Sequence, residues 1–144
     1  MQGASAVRAT ALQNIVCEEN MAVTKTLFER IGGEEAVRAT VAKLYGKILT
    51  DGLLMRFFEG IDVERLRRSQ AAFVAHAFGS PDAGSAVNLR RSHQRLVADG
   101  LSDQHFDRVA QHLRDAMREL DVPEGEIAEA LAIVETTRVE VLDR

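Results

Sequence analysis

The sequence predicts an all-α protein of six or seven helices. Three observations lead to this. From Thr26 onward, apolar residues recur at helical spacing in one segment after another. The strong breakers fall between those stripes, and the whole chain of 144 residues holds only two prolines. No segment sustains the apolar–polar alternation of a half-buried strand.

The elements follow in order. Thr26-Leu-Phe-Glu29 is a capping-box sequence ahead of a short helix, which Gly32-Gly33 ends. Val37, Val41, Leu44, Tyr45 and Ile48 then form one stripe, broken at Asp51-Gly52. Leu53 to Phe58 is apolar and long enough for one or two turns. Asp62 is an N-cap for the next helix, whose stripe is Leu66, Gln70, Phe73, Val74 and Ala77. Residues 79–84, with Pro81 between glycines, read as a loop. A shorter helix places Leu89, His93, Leu96 and Val97 on one face and closes at Gly100. Ser102 caps a long helix with Phe106, Val109, Ala110, Leu113, Met117 and Leu120. Pro123 suits the first turn of a last helix carrying Ile127, Ala130, Leu131, Val134 and Val141.

Composition narrows the function. Apolar residues are 46% and charged residues 28% of the chain, which is a globular balance. The net charge of −4 comes from interspersed acids and bases, so there is no basic footprint for nucleic acid. The longest nearly apolar run, Ala71 to Phe78, is too short for a membrane span. The single cysteine, Cys17, excludes an intramolecular disulfide and any site built of several cysteines. Residues 1–24 lack the charged rhythm of the rest and read as a poorly ordered or accessory extension. Arg8 with no acid before Glu18 leaves organelle targeting as the alternative to a cytoplasmic protein. Residues 25–144 form the domain.

Three polar residues interrupt the stripes: Tyr45, Gln70 and His93. A buried polar group without a partner costs about 1–3 kcal/mol, so each calls for a partner inside. Singly, each is ordinary: a core tyrosine, a marginal glutamine, a satisfied histidine. Three on three helices favour a shared polar site without identifying it. The other histidines are not spaced to hold one zinc without further convergent ligands. His105 and His112 are seven residues apart, about 10 Å along a helix. No H-E-x-x-H pattern, nucleophile elbow or phosphate-binding loop occurs.

Leu27-Phe-Glu-Arg-Ile-Gly-Gly33, Ala36-Val37, Leu44-Tyr45, Phe57-Phe58, Gln70-x-x-Phe73, Ala77-Phe78-Gly79, His93, His105-Phe106 and Val122-Pro123 carry a resemblance. In order and spacing, residues 26–142 resemble the group I truncated haemoglobins. The resemblance implies a two-on-two helical sandwich around haem b. It implies His93 as the proximal iron ligand, Tyr45 as the helix-B tyrosine that hydrogen-bonds the diatomic ligand, and Gln70 as the distal glutamine supporting it. Leu66 takes the site of the distal histidine of other globins. Phe58, Phe73 and Leu89 match residues against the porphyrin. The chain departs from the family pattern at Ser80, Gly84, Ala86 and Leu89. Ser69 stands where some relatives have a histidine as sixth ligand, and no histidine follows His112 for covalent attachment of haem. A five-coordinate iron without a covalent haem link is therefore the expectation.

The function so implied is binding of dioxygen, nitric oxide and carbon monoxide, with nitric oxide dioxygenation, fed by an electron-donating reductase, as the leading activity. Non-enzymatic dioxygen storage or transport, and haem-based gas sensing with a partner, are the alternatives.

Overall fold

A computed structural model describes residues 25–80 and 89–144. The extension over residues 1–24 and the departures at Gly84 and Ala86 lie outside them. Among the described residues there are seven α-helices, one 3-10 turn and no strand. The helices are α1 (Leu27–Ile31), α2 (Gly33–Ile48), α3 (Val63–Ala77), α4 (Leu89–Ala98), α5 (Asp103–Glu119), α6 (Glu124–Glu135) and α7 (Arg138–Val141), and Met55–Phe58 is the 3-10 turn.

The caps explain most of the boundaries. Thr26 Oγ1 accepts from the Glu29 N–H at 3.2 Å, and Glu29 Oε1 accepts from the Thr26 N–H at 3.2 Å. Asp62 accepts from the Arg65 N–H at 3.2 Å and starts α3. Gly32 caps α1 at φ 121°, and Gly33 is the first residue of α2 rather than a second terminator. Pro123 occupies the cap position of α6, one residue ahead of the expected place. Gly79, at φ 100°, lets the end of α3 meet the start of α1. A β-carbon there would stand 2.8 Å from Thr26 Cβ, while next to it the Phe28 N–H donates to the Phe78 carbonyl at 2.9 Å.

The expected last helix is two helices. Its period runs on to Val141, yet the chain turns at Thr136-Thr137. Both hydroxyls donate back to carbonyls three residues earlier, Ile133 and Val134, at 2.6 Å each. The two backbone N–H groups bond the same carbonyls, tightening the turn and ending α6. α7 then folds back toward α4 and α5. Arg138 holds it there through Asp103 at 2.8 Å and Glu135 at 2.7 Å, and lies 4.4 Å over the Phe106 ring.

α2 packs on α3 and α5, α5 on α6, and α4 on α7. This is the two-on-two arrangement of helices that the resemblance implies. Leu27, Val37, Val41, Ile48, Leu54, Met117, Ile127 and Ala130 fill its centre. The stripes read from the sequence supply these contacts, since each carries its apolar residues to one side of its helix.

Asp51 organises the corner between α2 and the 3-10 turn. Its side chain is 7% exposed. It accepts from the Leu53 N–H at 2.9 Å, from Arg108 at 2.8 Å and from His112 Nε2–H at 2.6 Å, so it ties the corner to α5. The His112 bond first, then the Leu53 N–H and Arg108, hold its carboxyl below the ordinary value of 3.8. A lowered carboxyl pKa gives stability that is complete above about pH 4 and lost as pH falls through the lowered value. Asp51→Ala is expected to cost about 2 kcal/mol, or roughly 5–10 °C in Tm near neutral pH. The difference from the unaltered protein should shrink below about pH 4. Thermal melts from pH 7 to pH 3 check both. A deficit that stayed constant across the range would remove Asp51 as the titrating anchor.

Candidate functional site

α2, the 3-10 turn, α3, α4, α5, α6 and α7 all contribute to one cavity of about 190 Å³. Protein interiors close-pack and leave few voids larger than a water molecule, so an apolar space of this size is a site rather than a packing defect. Leu44, Ile48, Leu54, Phe78 and Leu113 are among the apolar side chains that line it.

The cavity brings together six of the seven site residues read from the sequence: Tyr45, Phe58, Gln70, Phe73, Leu89 and His93. Leu66 is the exception. It sits half-buried against the core cluster and is not on the cavity wall. It lies one turn before Gln70 on the same face of α3, beyond the end of the cavity, where that face meets the core.

Tyr45 is delivered by the α2 stripe and is 5% exposed. The Phe58 ring meets it edge-on, with centroids 5.9 Å apart at 86°, which fixes the orientation of the phenol. Burial pushes the Tyr45 hydroxyl well above its ordinary pKa of 10, so it stays protonated and able to donate. Neither the Tyr45 hydroxyl nor the Gln70 amide makes a hydrogen bond with another described residue. Both donors remain available to whatever enters.

His93 lies on α4, one turn after Leu89. Its Nδ1 is 2.8 Å from the Leu89 carbonyl oxygen. A carbonyl can only accept, so Nδ1 carries the proton and Nε2 keeps its lone pair. This second bond sets the tautomer and orientation of an imidazole that binds metal through its other nitrogen.

His105 is a cavity residue that the sequence did not mark as one. It is 7% exposed, and its ring meets Phe57 edge-on at 5.0 Å. It interrupts no aliphatic stripe, because it stands in the first turn of α5. The signal available was its place three residues after Ser102, where a capping side chain belongs. Thr137 and Val141, beyond the break in the last helix, also reach the cavity. Among the described residues no cluster of three metal-ligating side chains occurs, and no helix is long and apolar enough to cross a membrane.

Comparison with known proteins gives a consistent result. The family model for bacterial-like globins matches residues 26–143. A group 1 truncated haemoglobin of Chlamydomonas moewusii is 41% identical over 118 residues, covering 82% of this chain and 68% of that protein. One from Synechocystis sp. is 39% identical over 109 residues, covering 75% of this chain and 88% of the relative. Among solved structures, the two-on-two haemoglobin of Synechococcus sp., with covalently attached haem, superposes with a TM-score of 0.79 at 38% identity. That match covers 83% of this chain and all of the other. The truncated haemoglobin of Tetrahymena pyriformis gives 0.76 at 30% identity, covering 82% of this chain and 98% of its own.

Proposed function

Because this chain belongs to the group 1 truncated haemoglobins of the bacterial-like globin family, we propose that it binds dioxygen and nitric oxide at a five-coordinate haem iron and acts as a nitric oxide dioxygenase. The cofactor is haem b. The cavity fits it on three counts: apolar walls from opposite helices, aromatic rings at Phe58 and Phe73, and an imidazole whose Nε2 lone pair is free. When bound, haem supplies an iron that holds a diatomic ligand and shifts electron density onto it.

The observation that carries the reading is the pair of unsatisfied donors, Tyr45 and Gln70, on the wall of the cavity that His93 also lines. His93 would hold the iron through Nε2, and its Nδ1 bond to the Leu89 carbonyl orients the ring for that role. The Tyr45 O–H and the Gln70 amide donate to dioxygen. In a site walled by Leu54, Phe57 and Phe78, water competes little and such bonds strengthen. Phe58 and Phe73, both on the cavity wall, would pack on the porphyrin. The bound haem would supply the chemistry that turns nitric oxide and dioxygen, with one electron from a reductase, into nitrate.

The test is turnover. Purified protein with haem, a flavin reductase and NADPH is given repeated additions of nitric oxide in aerated buffer. We expect many equivalents of nitric oxide to be consumed per haem, with matching nitrate. Arrest after a single equivalent, despite an active reductase, would leave dioxygen storage as the function.

A further inference from the structure

His105 has no part in the chemistry above, yet it holds one corner of the cavity. Its Nδ1 accepts the Ser102 backbone N–H at 3.0 Å, which places its proton on Nε2. Ser102 is the N-cap of α5, and His105 fills the position where Glu or Gln closes a capping box. The ring packs edge-on against Phe57, and Leu101, Phe106 and Phe57 line the cavity around it.

The nitrogen that accepts the cap bond is also the one that a second proton would take. Three consequences have the same sign. Nδ1 would become a donor facing the Ser102 N–H; the Ser102 hydroxyl, 3.2 Å away, can accept from it, but the backbone N–H would lose its cap partner. A cation would stand at the positive end of the α5 dipole. An unpaired charge would be buried in an apolar wall. We propose that His105 is an acid-sensitive latch on the haem cavity: neutral, it closes the first turn of α5 against Phe57, and protonated, it releases that corner and loosens haem.

Among the described residues, none offers the imidazolium a free counterion. Arg56, on the 3-10 turn, lies 4.1 Å over Phe57 and donates to the Asp99 carbonyl at 3.2 Å. Asp99 follows the end of α4 and its side chain is exposed. Asp103, in the same first turn as His105, is engaged by Arg138 and Arg144, and Asp107 by Arg138. His93 of α4 and Tyr45 of α2 share the cavity wall. Burial first, and the Arg56 charge second, hold the His105 imidazole below its ordinary value of 6.5. The open form takes its proton near that ordinary value, and the closed form resists it. Stability of the closed form is therefore complete above about pH 6.5 and falls as pH drops from there towards the lowered value.

His105 is a positioning residue in this account, and only the presence of haem is required, not turnover of nitric oxide. His105→Gln separates the switch from the cap, because the glutamine oxygen can accept the Ser102 N–H but does not titrate. The holoproteins are mixed with excess apomyoglobin and haem transfer is timed at pH 7.5, 6.5 and 5.5. Transfer from the unaltered protein is expected to quicken about tenfold from pH 7.5 to 5.5, and from the variant less than about threefold. Equal acceleration in both, which protonation of His93 would produce, overturns the proposal. If His105→Gln does not retain haem, amide hydrogen exchange of the unaltered holoprotein decides. Protection at residues 102–106, corrected for intrinsic rates, is expected to fall before that of α2 between pH 7.5 and 5.5. A uniform fall, or none, overturns the proposal. Failure of the dioxygenase reading shows separately, as absent turnover at pH 7.5 with haem retained.

Discussion

Tyr45→Phe is expected to speed dioxygen release ten- to a hundredfold. The six-membered ring stays, so the edge contact to Phe58 and the packing among Val41, Leu44 and Ile48 remain. What is lost is one hydrogen bond to a ligand that carries negative charge, worth roughly 1.5–3 kcal/mol. A factor of ten corresponds to about 1.4 kcal/mol, which sets the range. Carbon monoxide carries less charge when bound, so its release should change much less. Gln70→Leu should act in the same direction. Stopped-flow release from the unaltered protein, both single variants and the double variant measures the coupling between the two donors. Near-equal release from all four would mean that the pocket does not hold dioxygen by these bonds, and the dioxygenase reading would lose its mechanism.

His93→Gly is expected to abolish stable haem binding, with recovery on adding imidazole. The substitution removes the cavity nitrogen whose lone pair the Leu89 bond frees, and it leaves a space of imidazole size on α4. Ferrous wild-type protein should be five-coordinate. Ser69 is exposed and Leu66 is off the cavity wall, and His105 has Nδ1 committed to Ser102. Absorbance during haem titration, with and without imidazole, reads both expectations. A variant with an unchanged spectrum would sink the assignment of His93.

The residues legible in the sequence were those that violate a pattern. Tyr45, Gln70 and His93 stand where helical stripes call for aliphatic residues, and the fold brings all three to one cavity. His105 violates nothing. In a first turn, a histidine used as a cap resembles a surface residue until the tertiary structure buries it. The division of the last helix was hidden for the opposite reason. Ile127, Ala130, Leu131, Val134 and Val141 keep a helical period across the break, whereas Thr136 and Thr137 act through local hydrogen bonds that periodicity does not register. Leu66 shows the limit of a stripe as a guide. Membership in the apolar face of α3 does not say whether a residue meets the core or the cavity, since one face serves both.

The break at Thr136-Thr137 also bears on when the cavity comes into being. It returns Thr137 and Val141 to the same wall as Tyr45, although 92 and 96 residues separate them from it (137 − 45 and 141 − 45). A chain leaving the ribosome at about 5–20 residues per second exposes α2 and α3 several seconds before these residues exist outside the tunnel. During that interval the nascent protein has one side of the cavity and no enclosure. Closure of that wall thus waits for residues 137–141, well after the helix that bears His93 has emerged.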